Sequence, residues 1–369
     1  METVSMNRPL RQGCGKLDIR FGLKSQGGGL KSTGYGALEE TSMSIGTAQR
    51  ASQLATRGTG VPGRTLRNRL WAARWCYLFM LPSLVLTVAF TLYPTIMSWY
   101  FSLLDWSGFG SDWEWAGLAN YREVIRDDLF WNSYWRSFLF TLVGAPIKIG
   151  LALVVALILN DRSLKYAAAY RTLFFLPVVT SSAIIGIVMT FIFNPLDGPI
   201  NMVLLQLGLI DIPVDFLGDP DTALWTVVAV YIWKWFGVTM IYWLAALQVV
   251  PQELYEAARI DGAGRLHMHR TITLPMIVPF ALVIVLITVV SALNIFGLVQ
   301  TMTGGGPFFA TEVMELYIYR NAFGAGEIPR LGYASAAAVF FGVTVLALSL
   351  IQGWGLRKAN AARAQLKTQ

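Results

Sequence analysis

The chain has 369 residues, of which 55% are hydrophobic and only 14% charged, with 29 Lys/Arg against 22 Asp/Glu. A soluble chain of this length carries about a quarter charged residues, so the composition excludes an ordinary soluble domain. Residues 1–74 hold 12 of the 29 basic residues and the remainder is dominated by long apolar runs, the profile of a membrane protein with a basic tail.

The expected fold class is all-α, a polytopic membrane protein with about six transmembrane helices. Residues 1–70, rich in Gly, Ser, Thr and Arg and without a lasting apolar period, read as a disordered basic cytoplasmic tail. The tail has no apolar core of a secretory leader, and Met43 offers an alternative start. The six-helix domain is expected over 71–357, followed by a cytoplasmic C-terminal tail, 358–369. Its spans are expected at 75–100, 137–159, 173–193, 224–249, 276–299 and 334–354, each near the 20 residues that a bilayer requires. Continuous apolar runs of this length are helical, because a helix satisfies its own backbone.

Basic residues set the orientation. The tail, the second-to-third connection (Arg162, Lys165, Arg171), the fourth-to-fifth connection (Arg259, Arg265, Arg270) and the C-terminal end (Arg357, Lys358, Arg363, Lys367) fall on one side if six spans alternate. The opposite connections carry Asp197, Asp211, Asp215, Asp219 and Asp221 in one case, and Asp105, Asp112, Glu114, Glu123, Asp127 and Asp128 against Arg122 and Arg126 in the other. Both termini are therefore expected in the cytoplasm.

No Asp or Glu lies within the six runs; Lys148 and Lys234 do. Carriers driven by protons or sodium need carboxylates at depth, so ion coupling is disfavoured. The two lysines read as snorkelling or as pairing with carbonyls. Cys14 and Cys76 form no disulfide framework. His267 and His269, without a Cys or acidic cluster beside them, make no zinc site and read as solvated loop residues. No metal or cofactor site is expected.

The connection 250–275 is the most informative stretch. Pro251 opens a helix where a missing N–H costs nothing, and Glu253 and Glu256 suit its N-terminal end. Leu254, Ala257, Ala258, Ile260 and Asp261 continue it with small residues in the middle. Gly262 and Gly264 permit a turn, and a second amphipathic stretch, 266–272, leads to Leu274-Pro275. Such a helix is suited to docking in a partner's groove, and equally to lying on the membrane as a plain connection.

The loop resembles the EAA loop of bacterial ABC importer permeases. Glu256-Ala257-Ala258, Gly262, Ile272 and Leu274-Pro275 match the pattern Glu-Ala-Ala, three residues, Gly, nine residues, Ile, one residue, Leu-Pro at every position. Tyr77–Pro82, Gly117–Tyr121, Gly198–Asn201 and Thr303–Pro307 extend the resemblance over about 290 residues, to the maltose-type and glycerol-phosphate-type sugar permeases. The resemblance implies a type I ABC importer permease fold. It implies that this helix sits in a cleft of an ATPase, with Glu256 on a basic residue there. The implied partners are a second homologous permease, two copies of an ABC ATPase and a periplasmic or lipid-anchored solute-binding protein, in the bacterial inner membrane. ATP and Mg would be used by the ATPase: this chain has no Gly-x-x-x-x-Gly-Lys-Ser/Thr loop. No nucleic-acid partner is expected.

Candidate sugar contacts lie on two spans. Thr288, Ser291 and Asn294 share one helical face, as do Tyr231, Trp235 and Thr239; cross-helix packing explains the same residues. The resemblance places part of the sugar path on these helices. Two other functions compete with an import permease. An ion-coupled secondary carrier needs the missing carboxylates, and a membrane enzyme needs a nucleophile or metal cluster facing a cavity.

Overall fold

The structure, a computed structural model, describes residues 74–161, 163–324 and 328–366. The expected tail 1–70, with Cys14 and Met43, lies outside the described residues, as do Arg162 and Lys367. Contacts divide the chain into Met1–Leu81 and Pro82–Gln369. Of the first unit, only the opening turns of the first span are described, and the packing below concerns the second.

In chain order, α1 is Arg74–Phe101. A short antiparallel hairpin follows, β1 (Leu104–Trp106) with β2 (Trp113–Trp115). Then come α2 (Ala119–Arg126), α3 (Asp128–Leu159), α4 (Ala167–Val179), α5 (Ser182–Ile192), α6 (Pro199–Gln206), α7 (Pro220–Leu247) and α8 (Gln252–Ile260). The chain continues through α9 (Arg265–Ala292), α10 (Phe296–Met302), α11 (Met314–Phe323) and α12 (Leu331–Leu366). The all-α expectation holds apart from the hairpin.

Five helices, α1, α3, α7, α9 and α12, are long and apolar enough to cross a membrane, and a sixth span is obtained if α4 and α5 count as one. Helix α7 is the central element: 61% of its most apolar window is buried, against 0% in α1. It packs on α3, α4 and α9. Helices α1 and α9 each contain a π turn, at Val88–Leu92 and His269–Thr273. Each precedes a proline, Pro94 and Pro275. Proline removes an N–H and crowds the carbonyl four residues back, here that of Phe90 or Thr271, and the extra residue of a π turn relieves that crowding.

Four expectations are corrected. The third span is not continuous over 173–193: it breaks at Thr180-Ser181, and α5 turns from α4 by 97°. Pro177, in the last turn of α4, weakens the helix there. The fifth span ends at Ala292 rather than 299, and after three residues the chain resumes as α10. The sixth runs on to Leu366, so a helix occupies most of the stretch expected as a tail. The amphipathic stretch 266–272 forms the first turns of α9, which places His267 and His269 on a helix rather than in a loop.

Contacts fix which connections share an end of the bundle. Arg265, at the start of α9, pairs with Asp161, just past α3, at 3.2 Å. At the opposite end Arg330 pairs with Glu123 at 2.6 Å, and the hydroxyls of Tyr317 and Tyr333 both donate to Asp127. This alternation is the one that the loop charges require.

Candidate functional site

Helix α8 stands at the end of the bundle marked by the Arg265–Asp161 pair. Pro251 is its N-cap, with extended backbone, and Glu253 lies in its first turn. The helix closes through Asp261 N–H to the Ala257 carbonyl, and the following N–H groups of Gly262 and Ala263 return to Arg259 and Ala258. Gly262 has φ +76° with open space where a Cβ would point, so the turn requires glycine for its backbone and not for room.

Tyr255 ties α8 to the bundle, its ring packed against the cluster around Trp243 and Leu247. The Tyr255 and Thr273 hydroxyls meet at 2.7 Å, and Thr273 is fully buried in the π turn of α9. The rest of the helix is left open. Glu256, Ala257 and Asp261 are exposed and Ala258 half-buried. Ile260 is 87% exposed and Leu266 66%. Ile272 packs inward against the cluster around Trp243 and Leu247, and Leu274 and Pro275 open the regular part of α9. The motif therefore has two halves: Ile272, Leu274 and Pro275 anchor the loop to the span, and Glu256 to Gly262 present a helix outward.

The two buried lysines occupy the centre of the bundle. Lys148, on α3, donates to the Tyr231 hydroxyl at 2.6 Å and lies 4.4 Å from the centre of that ring. Tyr231 also meets the Ser291 side chain, and Ser291 donates to the Thr288 carbonyl at 3.0 Å. The Lys148–Tyr231 bond thus joins α3 to α7, while Ser291 bonds within α9. Lys234 donates to the carbonyls of Thr180 (2.7 Å) and Pro177 (3.3 Å) at the break of the third span. Pairing with carbonyls, one of the two sequence readings, describes Lys234. Neither lysine snorkels, since both are fully buried.

The proposed sugar contacts do not share one surface. Tyr231, Thr239 and Thr288 are buried within this chain. Trp235 is half-buried, with the Lys234 ammonium 4.5 Å from its ring centre. Ser291 and Asn294 are exposed. Asn294 is not on the helical face inferred from spacing, because α9 has already ended and the residue sits in the break before α10. Of the six, Ser291, Asn294 and part of Trp235 face outward from the chain.

Sequence reasoning did not single out Glu315. Its carboxylate accepts the N–H groups of Ile295 and Phe296 at 2.8 and 2.7 Å, capping α10 across that same break. An Asp or Glu aligned with a helix start is a recognisable signal, but here cap and helix are about 20 residues apart in sequence. Among the described residues, no group of three or more His, Cys, Asp or Glu side chains is placed to hold a metal ion.

Residues 148–359 match the family described as the binding-protein-dependent transport system inner membrane component. The chain is similar to the probable ABC transporter permease protein YurN of Bacillus subtilis, 35% identical over 75% of this chain and 94% of that one. It is also similar to the lactose transport system permease protein LacF of Rhizobium radiobacter, 34% identical over 76% and 94%. A solved bacterial alginate ABC transporter, in complex with its pentasaccharide-bound periplasmic protein, contains a chain that superposes with a TM-score of 0.69 at 25% identity, covering 80% of this chain and 98% of that one. With its broken spans, its outward-facing loop helix and these likenesses, the chain belongs to the binding-protein-dependent inner-membrane components and is a permease subunit of an ABC importer.

Proposed function

We propose that this permease forms half of the import path for a sugar or sugar-like solute, and that α8 is the element through which a separate ATPase drives it. The observation that carries this reading is the outward half of the loop. Glu256 is exposed with no side-chain partner among the described residues, Ile260 one turn on is left in the open, and Leu266 after the turn is exposed as well. A charged group flanked by uncovered apolar surface suits a groove with one basic residue and an apolar floor. In this reading two ATPase copies bind ATP with Mg and close. Their motion moves α8 and its counterpart in a second permease, and the path between the permeases opens in turn to each side. Both termini lie in the cytoplasm of a bacterial cell, with the basic connections around Asp161 and α8. A periplasmic or lipid-anchored binding protein docks at the opposite end. Sugar is the solute class favoured by the lactose and alginate systems among the similar proteins. Exposed Ser291 and Asn294 and the uncovered part of Trp235 are the contacts that this chain offers.

Affinity purification in mild detergent from native cells, with identification of what accompanies the chain, tests the assembly. An ATPase, a second permease and a binding protein that takes up sugars in calorimetry are the expected outcome. A chain recovered alone that still supports uptake in ATP-free vesicles overturns the coupling role. A binding protein that takes amino acids or metal ions overturns the solute class.

A further inference from the structure

The break at Thr180-Ser181 leaves the last carbonyls of α4 without the N–H groups that a continuing helix would bring. Thr180 is the C-cap, with extended backbone at φ −76°, ψ 140°. A helix C-terminus carries about half a negative charge, and the fully buried Lys234 ammonium sits on it through two carbonyls. One turn further along α7, Gly237 has no side chain to hold the helices apart: a Cβ there would collide with the Phe174 carbonyl. Helices α4 and α7 are thus fastened at two successive levels. Beyond the break the fastening changes. Helix α5 packs on α10, and a Cβ at Gly186 would run into the Thr301 side chain.

So the inner half of the third span belongs with α7 and the outer half with α10. Helix α7 ends at Leu247, and four residues separate it from the start of α8 at Gln252. From Lys234 to Leu247 is about 20 Å at 1.5 Å per helical residue. We propose that Lys234 is a positioning residue of the transport cycle. It fixes the α4 side of the break to α7, so that movement of α8, carried along α7, reaches α5 as a change of angle at Thr180-Ser181. This rests on the importer reading above. A buried ammonium is suited to the task because it bonds two carbonyls at once, and its charge-assisted bonds are stronger than those of a neutral donor.

The test uses the complete transporter, with its ATPases and binding protein, in lipid nanodiscs and in proteoliposomes. Spin labels are placed at L173C on α4 and V188C on α5, both exposed positions, with Cys14 and Cys76 replaced by Ser. A narrow distance distribution that shifts when ATP is bound is expected for Lys234. For Lys234→Met the distribution should broaden and lose its response to ATP. Uptake should fall about tenfold, the size of a coupling loss of this kind, while the ATPase co-purifies in the same amount. Lys234→Arg should restore both readouts. If Lys234→Met fails to accumulate, Lys234→Gln, which keeps a neutral donor, should show the same changes at smaller size. Unchanged distances in Lys234→Met, or broadened distances with normal uptake, overturn the proposal. If the unmodified complex shows no ATP-driven uptake, the importer reading is what fails. The distance distribution of the chain alone in nanodiscs then still decides whether Lys234 sets the angle.

Discussion

The two ends of the bundle treat their charges in opposite ways. At the end opposite α8, one cluster of ionisable side chains is consumed by the fold, while Asp105, Asp112, Glu114 and the aspartates between 197 and 221 stay exposed. Asp127 accepts from two tyrosines and from the N–H groups of Leu129 and Phe130. Glu312, fully buried, pairs with Arg320 at 2.8 Å. Arg330 grips Glu123 through two hydrogen bonds of 2.7 and 2.6 Å, and Glu315 caps α10. At the α8 end the described residues make one ion pair, between Arg265 and Asp161, with Arg265 largely exposed and Asp161 partly so, and it contributes at most about 1 kcal/mol. Glu256 and Asp261 are left open to solvent. The buried cluster supplies rigidity, and the uncovered charge and apolar surface of α8 are what the proposed docking role uses. Substitutions at the two ends should therefore fail differently.

The largest effect is expected at α8. Glu256→Lys reverses the exposed charge without touching a partner among the described residues. Gly262→Asp puts a side chain on a backbone at φ +76°, with open space around it, at a local cost of about 1 kcal/mol. Neither change should unfold the bundle. Both should abolish ATP-driven uptake and lower recovery of the ATPase, while the amount of chain in the membrane stays as before. Normal uptake with normal ATPase recovery in either variant would break the comparison on the docking side.

Asp127→Ala should fail the other way. It removes the N-cap of α3 and leaves the phenol hydroxyls of Tyr317 and Tyr333 without their acceptor. A lost cap costs about 1 kcal/mol, and hydrogen bonds to a charged group about 1.5–3 kcal/mol. A loss of about 3 kcal/mol is expected in denaturant unfolding of the detergent-solubilised chain, with ATPase association retained in the folded fraction. A variant as stable as the parent chain would show that this end is not held by the Asp127 cluster.

The sequence made the spans and the helix of the loop after the fourth span legible because both are local. Apolar length identifies a crossing helix, and the spacing from Glu256 to Pro275 lies within one connection. The breaks were not legible. Leu293 and Ile295 are as apolar as the helix that they interrupt, so hydropathy ran straight through them, and only Pro177 signalled the bend of the third span. Asn294 was assigned to a helical face for the same reason. The acidic residues opposite α8 were readable as a charge asymmetry, but not as partners. Asp127 meets Tyr317 and Tyr333 across 190 and 206 residues, and no periodicity connects positions that far apart. Lys234 could be recognised as costly within a membrane, but its two carbonyls belong to a break that the sequence did not reveal.

The smallest expected effect concerns the pH dependence of the consumed end. Burial pushes the Glu312 carboxyl up to about 7 despite the opposing pull of Arg320, and burial also raises Glu315. Between the ordinary carboxylate value of 4.5 and about 7, the folded chain holds a proton on Glu312 that the unfolded chain releases. Stability should therefore fall as pH rises through this window, at about 1 kcal/mol per pH unit, and level off above it. Asp127 is shifted the other way, below its ordinary 3.8, by its hydrogen bonds against the effect of burial. Its contribution is lost only at more acid pH, so the two do not overlap. Melting temperatures of the detergent-solubilised chain at pH 5, 6, 7 and 8 should descend, and Glu312→Gln should flatten most of that descent while leaving the part due to Glu315. Losing the partner of Arg320 shifts the whole curve of the variant but not its slope, so slope is the quantity to compare. A descent equally steep in Glu312→Gln would assign the titration to another group and remove Glu312 from the charges that the fold has consumed.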